Sequence, residues 1–505
     1  MAGNPSHGSV VELEDVHVEA EDLLSTPAAG PAAIRGGALR VTSFLTGTLV
    51  GVAAAALLFR HLGVVDVGQY TTALTLCALV TGLTDLGLTA VGMRELAVLK
   101  GDERSSLARN LLGIRLALTS LGVLAITVFA FFAYRSTYGS GFAVAVLVAG
   151  IGVVLQNTQA TLQVPLMATL RLGWVSLLEF VRQLLTSLII VALVLLGAHL
   201  VPFLAASGIA AAIVLVPTAL LVRGNIPLAP AFQIRDWLAL LRPVLTFSLA
   251  VAAATLYFRV ALVLVSLMAS QHQVGYFSLS YRVVEVLLVI PGLLVGAAFP
   301  IFARAARDDP QRLGYAISRV FEVSLLTGVW MALTIAIGAR LAVMIVGGSK
   351  FLPAVSVLQV QGIAVGATFV SAVWGYGLLS LHLHRLILGF SLSMLALLTA
   401  LLAALIPVDG AQGAAIGIAT AEVLAATMGG VLLVRGRPHL APSLRVVPRA
   451  AAAALVAATP ALVPGLPVIV RVILSSLIYL GALLALKAIP REVFEALPPR
   501  LRRFG

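Results

Sequence analysis

Charged residues are scarce in this sequence. Asp, Glu, Lys and Arg make up 11% of its 505 residues, whereas hydrophobic residues make up 60%, and the mean hydropathy is +1.07. A soluble domain carries roughly 25% charged residues, so this chain has too few to cover a surface that faces water. The composition excludes an ordinary soluble protein and indicates that a lipid bilayer is the solvent.

The residue patterns of several chemistries are also missing. Cys77, the single cysteine, lies in an apolar stretch and can form no internal disulfide. No His/Cys cluster has metal-ligand spacing, since His382 and His384 fall at a predicted inner loop, and no Gly-x-x-x-x-Gly-Lys-Ser/Thr loop occurs. Neither a serine triad nor a pair of catalytic carboxylates can be assembled. We therefore expect no enzymatic activity, no cofactor and no metal.

What is present is a long series of apolar stretches. A spanning helix needs about 20 mostly apolar residues, and fourteen stretches satisfy this requirement. They predict an all-α polytopic membrane protein with spans near 38–59, 69–93, 110–134, 141–170, 174–197, 200–222, 243–269, 274–302, 314–339, 352–381, 386–406, 411–434, 449–465 and 467–489.

The net charge of +12 serves as a topology signal. With the amino terminus in the cytoplasm, the short inner loops hold most of the Lys and Arg residues, as the positive-inside rule requires. We therefore expect a multi-pass protein of the cell's inner (plasma) membrane, with both termini cytoplasmic and no nucleic-acid partner. The outer side receives only Arg60, Arg135, Arg340, Lys350 and Arg471, and three arginines fall within spans: Arg182, Arg259 and Arg282.

The two halves of the chain share a short motif. Val-Gly precedes an aromatic residue at 67–70, entering the second span, and again at 274–276, entering the eighth. Six helices separate the copies, and because six is even, both copies have the same orientation. This pattern predicts a parallel repeat about an axis along the membrane normal, with substrate bound between the halves.

A family resemblance rests on this motif and its surroundings. The matching segments are 62–70, Asp85-Leu86-Gly87-Leu88 with Arg94-Glu95, Val274-Gly275-Tyr276-Phe277-Ser278, Tyr281-Arg282-Val283-Val284-Glu285, and Phe299-Pro300. Over roughly 38–435 the chain resembles the polysaccharide (O-antigen and exopolysaccharide) flippases. Their superfamily also contains multidrug extruders and the lipid II flippase.

The resemblance implies both an architecture and a substrate. Two six-helix lobes would surround a central cavity, with two further helices appended. The implied substrate is a polyprenyl-pyrophosphate-linked oligosaccharide, moved from the inner to the outer leaflet by alternating access. The implied partners are membrane lipid, H⁺ or Na⁺ as a coupling ion, and a polysaccharide polymerase or glycosyltransferases.

These inferences divide the chain into five parts. We expect a disordered acidic cytoplasmic tail over 1–36, which is either a docking site or a solvated extension. The N-lobe (spans 1–6) would cover 37–223 and the C-lobe (spans 7–12) 224–435. Spans 13 and 14 would occupy 436–489, and a basic cytoplasmic end 490–505.

Arg259 is the first candidate for binding substrate. It falls near the middle of span seven, where a charged residue is costly unless it is paired or faces a wet cavity. The flippases often have Arg-x-Asp at this step, whereas here Arg259 is followed by Val260 and Ala261. Its guanidinium either clamps the pyrophosphate through a bidentate fork or forms an ion pair with an acid on another helix.

Two further arginines lie within spans beside acids. Arg282 shares a helix face with Glu285, and Arg182 shares one with Glu179, since each pair is three residues apart. Both can be self-neutralising pairs. Arg282 is also a candidate to receive the pyrophosphate after Arg259 releases it.

Acids and amides within spans complete the candidates. Glu422 and Asp85 can each bind a coupling ion or neutralise an arginine; Glu422 lies deeper and has no basic residue within ten positions. On span four, Gln156, Gln159 and Gln163 follow steps of three and four along one helix face. This stripe either hydrogen-bonds sugar hydroxyls in a cavity or joins helix four to a neighbour.

The sequence allows three alternative functions, two of which it disfavours. A cation-coupled multidrug exporter is disfavoured, because Arg259 and Arg282 would repel cationic drugs. A membrane sugar polymerase or ligase is disfavoured, because the outer loops are too short for a catalytic site. A scaffold that recruits synthesis enzymes through the acidic tail is the third alternative.

Overall fold

The computed structural model describes residues 29–85, 87–224, 226–241, 245–490 and 492. Within them the regular structure is helical and contains no strand. Most of the predicted acidic tail and of the basic end 490–505 lie outside these residues. The first helix already begins at Ala29, so 29–36 are helical and not part of a disordered tail. Pro31 is tolerated there because the first turn of a helix leaves its N–H groups unbonded.

The first half of the chain forms seven helices that build the N-lobe. The second and third together form span two; the others each form one span. In chain order they are α1 (Ala29–Leu62), α2 (Val64–Asp85), α3 (Leu88–Val98), α4 (Gly101–Tyr138), α5 (Gly141–Ala168), α6 (Leu172–Leu195) and α7 (Leu200–Val222).

The second half repeats this arrangement after a short connecting helix. The C-lobe follows it, and two helices are appended after the C-lobe. The elements are α8 (Ile234–Leu241), α9 (Leu245–Met268), α10 (Gln271–Leu287), α11 (Val289–Gly296), α12 (Phe299–Asp308), α13 (Pro310–Val346), α14 (Ala354–Ser380), α15 (His384–Val434), α16 (Val446–Ala457) and α17 (Val468–Ala485).

The predicted spans coincide with helices throughout. Ten helical stretches of the described chain are long and apolar enough to cross a membrane, and two of them, Val64–Val98 and Gln271–Asp308, are interrupted by short breaks. Three shorter apolar helices lie where spans 1, 7 and 13 were predicted. The long helix α15 contains two predicted spans, which meet where Asp409 and Gly410 leave the helical conformation. Gly410 has a φ of +52°, which glycine adopts without steric cost.

Span eight is not one continuous helix, contrary to the sequence expectation. It breaks between α10 and α11 and again before α12. Pro291 explains the first break, because its ring clashes with the carbonyl group four residues earlier, that of Leu287. The first break therefore lies directly after the α10 segment that carries Arg282 and Glu285.

Small residues allow helices within each lobe to approach closely. Gly152 of α5 packs on Gly208 of α7, and Gly328 of α13 packs on Gly366 of α14, so that a Cβ atom at any of these positions would crowd the facing backbone. Close backbone approach of this kind drives helix association in membranes. Between the lobes, α2 packs against α9 and α10.

The parallel repeat extends to the connections. After the N-lobe, the backbone of Ala231 crosses Gly113 of α4, and after the C-lobe the backbone of His439 crosses Gly314 of α13. In each half the connection passes over a glycine of the third span. The two halves therefore share this contact between the connection and the third span, in addition to the motif at 67–70 and 274–276.

This arrangement makes a stability prediction. In Gly113→Ala, the new methyl group overlaps the Ala231 carbonyl oxygen, and such overpacking costs about 1–3 kcal/mol. The variant should therefore melt at a lower temperature than the wild type in detergent. The control is Gly389→Ala, which is also helical but has open space beside it. Equal melting temperatures for the two variants would mean that the connection does not depend on this contact.

Candidate functional site

A central cavity of about 1380 Å³ lies between the two lobes. Its N-lobe wall comes from α1, α2, α5 and α6, with Ser207 of α7, and its C-lobe wall from α9, α10 and α11. Helix α2 lines it from Tyr70 to Gly82, so the cavity runs along most of this span. Its charged lining consists of three arginines and two glutamates: Arg182, Arg259, Arg282, Glu179 and Glu285.

The C-lobe wall carries a triad of charges. Glu285 Oε1 accepts a salt bridge from Arg259 Nη1 at 2.9 Å, and Glu285 Oε2 accepts one from Arg282 Nη1 at 2.8 Å. The side chains are partly exposed to the cavity, at 28% for Arg259, 43% for Arg282 and 30% for Glu285. Arg259 therefore lines the cavity and also forms the interhelical ion pair that was one of the two sequence alternatives. The triad carries one net positive charge.

The N-lobe wall carries a neutral pair. Arg182 and Glu179, three residues apart on α6, form a salt bridge. Next to them, Gln183 also lines the cavity and lies over Gly47 and Gly51 of α1, where any larger side chain would crowd its amide group. The two lobes thus present different surfaces, one with excess positive charge and one neutral and polar.

The predicted glutamine stripe is divided in the structure. Gln156 and Gln163 line the cavity, together with Ser176 of α6. Gln159 is 2% exposed and is not part of the cavity lining. A helix turns about 100° per residue, so Gln159 lies roughly 60° around the helix from Gln156. This rotation directs it into the N-lobe.

Glu422 lies in a separate pocket of about 40 Å³ inside the C-lobe. Its carboxylate accepts hydrogen bonds from Tyr257 Oη at 2.7 Å and from Thr368 Oγ1 at 3.2 Å. Gln361 also lines the pocket and is 1% exposed, and neither its amide oxygen nor its nitrogen has a partner within the described chain. The pocket is lined mainly by apolar side chains, but these few polar groups face it, and it is large enough for a water molecule or a small cation.

Asp85 lies away from the cavity lining. Its carboxylate forms a salt bridge with Arg115 of α4, and Thr89 Oγ1 donates a hydrogen bond to it at 2.7 Å. This is the arginine-neutralising alternative that the sequence left open. Glu322 forms a comparable pair with Arg319 at 2.7 Å, also away from the cavity.

Sequence reasoning missed the partners that come from other helices. Glu285 was paired with Arg282 alone, because their i, i+3 spacing is visible in the sequence, whereas the contact from Glu285 to Arg259 crosses from α10 to α9. Nothing in the sequence links Tyr257 and Thr368 to Glu422 either. The missing acid after Arg259 was a usable signal, because an arginine without a local partner needs one from a neighbouring helix.

Tight contacts between the lobes occur near both ends of the cavity. At one end, which the charge distribution predicts to be the outer one, a Cβ atom on Gly68 would lie 3.1 Å from the Gly275 backbone nitrogen. A Cβ atom on Gly275 would overlap the Val64 carbonyl oxygen. Towards the other end, Gly82 of α2 packs directly on Thr255 of α9. The repeated Val-Gly motif therefore forms a contact between the lobes.

Two lobes of membrane helices around a charged central cavity define the class: this is a multi-pass membrane protein with a transporter fold. The chain belongs to the family described as polysaccharide biosynthesis protein, whose family model matches residues 33–306. No curated protein sequence matches it.

Solved structures share the fold at low sequence identity. A structure of the lipid II flippase MurJ in an inward closed conformation has a TM-score of 0.74 and 11% identity, covering 90% of this chain and 99% of that one. An inward-facing multidrug resistance MATE family transporter of the MOP superfamily has a TM-score of 0.57 and 15% identity, covering 80% and 97%. A MOP superfamily transporter from Pyrococcus furiosus, described as having a binding pocket of reverse polarity, has a TM-score of 0.53 and 17% identity, covering 82% and 96%.

Proposed function

We propose that this protein is a flippase that moves a polyprenyl-pyrophosphate-linked oligosaccharide from the inner to the outer leaflet, and that it is not an enzyme. One observation carries the proposal: the guanidinium groups of Arg259 and Arg282 converge on one point of the central cavity. Guanidinium offers paired donors that match phosphate oxygens. The family to which the chain belongs supports the same class of substrate.

The charge of the cavity suits an anion. Its three arginines exceed its two glutamates by one positive charge, and in a membrane interior that charge attracts an anionic headgroup. A diphosphate esterified at both ends carries one negative charge on each phosphate. Arg259 and Arg282 together would neutralise it. A cationic drug would meet repulsion at the same place, which disfavours the multidrug alternative.

The N-lobe wall suits the sugar. Gln156, Gln163, Gln183 and Ser176 supply amide and hydroxyl groups to the cavity without net charge. Such groups both donate and accept hydrogen bonds, as sugar hydroxyls require. In this arrangement the diphosphate binds the C-lobe while the oligosaccharide contacts the N-lobe, so the substrate bridges the two moving parts.

Glu422 is the proposed site of the coupling ion, H⁺ or Na⁺. Tyr257, which donates a hydrogen bond to Glu422, lies two residues from Arg259 on α9. Phe258 and Tyr281 line both the Glu422 pocket and the central cavity. A change at Glu422 therefore reaches the headgroup site through one short stretch of helix.

Coupling through Glu422 can be tested in proteoliposomes under an imposed proton or sodium gradient. We expect wild-type transport to rise with one of these gradients, by roughly tenfold for a gradient that supplies about 1.4 kcal/mol. Glu422→Gln should transport at the same low rate with and without the gradient. Glu322→Gln, an acid paired outside the cavity, should retain the gradient response. A Glu422→Gln protein that still responds would exclude this residue as the coupling site.

The substrate itself is tested by reconstituting the full chain with a fluorescent polyprenyl-pyrophosphate oligosaccharide. A lectin added outside the vesicles then reports the sugar that reaches the outer leaflet. We expect movement of this lipid and none of a cationic dye, whereas movement of the dye alone would favour the multidrug alternative. If neither moves, but a truncated chain that lacks 1–36 loses its binding to synthesis enzymes, the scaffold alternative is favoured.

A further inference from the structure

The carboxylate of Glu285 occupies the place that the proposed headgroup needs. Each of its oxygens receives one guanidinium, from Arg259 at 2.9 Å and from Arg282 at 2.8 Å. Each arginine contacts Glu285 through Nη1 alone, so other guanidinium nitrogens remain for a phosphate group, but a phosphate that binds both arginines draws on the same two positive charges. The carboxylate and the headgroup therefore compete for one pair of cations.

Displacing the carboxylate creates a charge problem in the membrane interior. With the headgroup bound, the two arginines neutralise the two phosphate charges, and an ionised Glu285 would add an uncompensated negative charge beside them. A charge without a partner is costly in a medium of low dielectric constant, and the group then neutralises instead. A carboxylate does so by taking up a proton.

Among the described residues, no other cation around Glu285 is free to replace the two arginines. Across the cavity, Arg182 is already paired with Glu179. The other ionisable groups of the described chain that line the cavity or the pocket beside it offer no positive charge. They are Tyr70 and Cys77 of α2, Tyr281 of α10, Tyr257 of α9 and Glu422 of α15.

We infer that Glu285 is a built-in counter-anion, which the diphosphate displaces and which takes up one proton as the headgroup binds. This inference rests on the proposed function. The bound state holds more protons than the empty state, so affinity for the headgroup rises as the pH falls. Because proton uptake accompanies headgroup binding, Glu285 sets the affinity for the headgroup and its pH dependence. Glu285 is thus a positioning residue for the arginines.

The test is calorimetry of the full chain in lipid nanodiscs, with a geranyl-diphosphoryl sugar as the probe, which is esterified at both ends and carries one negative charge on each phosphate. Titrations in two buffers of different ionisation enthalpy give the number of protons taken up on binding. At pH 7, Glu285→Gln should bind at least about a hundredfold more tightly, because the wild type must also protonate a carboxylate that is ionised before the headgroup binds. It should also take up about one proton fewer than the wild type. A diphosphate esterified at both ends has no group that titrates near neutral pH, so the proton taken up is the protein's.

Two further variants keep the result interpretable. Glu322→Gln removes an acid paired outside the cavity and should match the wild type in both quantities. Glu285→Asp has a shorter side chain that cannot span both guanidiniums. It should bind the probe with an affinity between those of the wild type and Glu285→Gln, and it should still take up a proton. If Glu285→Gln does not fold, the affinities of Glu285→Asp and the wild type are compared instead.

The outcomes separate this inference from the proposal on which it rests. Equal proton uptake by the wild type and Glu285→Gln, with binding intact in both, overturns the role of Glu285 and leaves the flippase proposal standing. Absence of binding to wild type, in nanodiscs where the protein is folded, overturns the diphosphate site and this inference together.

Discussion

Replacing Arg259 by alanine is expected to reduce transport of the lipid-linked oligosaccharide roughly a hundredfold. The variant loses one of the two guanidiniums that face the cavity and leaves Glu285 paired with Arg282 alone. Truncating one partner of a hydrogen-bonded charge pair at a binding site costs about 3 kcal/mol, which is near a hundredfold. The measurement is the lectin-detected transport rate in proteoliposomes that contain equal amounts of inserted protein.

A double variant distinguishes a clamp from a structural ion pair. If Arg259 only neutralises Glu285, then Arg259→Ala combined with Glu285→Gln removes both charges and should restore transport. If Arg259 binds the diphosphate, the double variant should stay well below the wild-type rate, because only Arg282 of the two guanidiniums then remains to bind the headgroup. Arg319→Ala, which breaks an ion pair outside the cavity, is the control and should stay near the wild-type rate.

Substituting leucine for Gly275 is expected to block transport by a different route. Any side chain at this position overlaps the Val64 carbonyl oxygen, where α10 of one lobe meets α2 of the other. The substitution therefore holds the lobes apart at this end. An overlap of this kind costs about 1–3 kcal/mol, which shifts the ratio of closed to open forms by roughly 5- to 150-fold. Alternating access requires that this end can close.

Thiol labelling reports the opening directly. In a Cys77→Ser background, a cysteine placed at Thr71 lines the cavity near the Gly275 contact. A membrane-impermeant maleimide added on the side predicted to be outer should label this cysteine faster in the Gly275→Leu protein. The control is Gly292→Leu, an exposed helical position with open space around it. Unchanged labelling together with normal transport would show that this contact does not govern access.

The architecture was predictable because the bilayer imposes a strong and repetitive constraint. Each span must be about 20 apolar residues long, and loops collect arginine on one side. The positions at which a helix breaks within a span were less predictable. Span eight breaks beside Pro291, and Gly87, with a φ of +73°, separates α2 from α3. Such breaks depend on which backbone groups find partners elsewhere.

The candidate site was predictable only where a local rule applied. The spacing of Arg282 and Glu285 identified their pair, and the cost of a buried charge singled out Arg259. The sequence did not reveal that one carboxylate serves both arginines, because α9 and α10 bring them together through packing. The steps of three and four placed Gln156, Gln159 and Gln163 on one helix face. Gln156 and Gln163 line the cavity, whereas Gln159 is buried in the N-lobe, because the spacing does not resolve a rotation of this size around the helix.

A cryo-EM structure of the full chain in nanodiscs with a bound polyprenyl-pyrophosphate sugar tests the central claim most directly. We expect phosphate oxygens within about 3 Å of the guanidinium nitrogens of both Arg259 and Arg282, with the Glu285 carboxylate moved away from at least one of them. A headgroup bound elsewhere, with all three side chains paired as they are in this structure, would contradict the account.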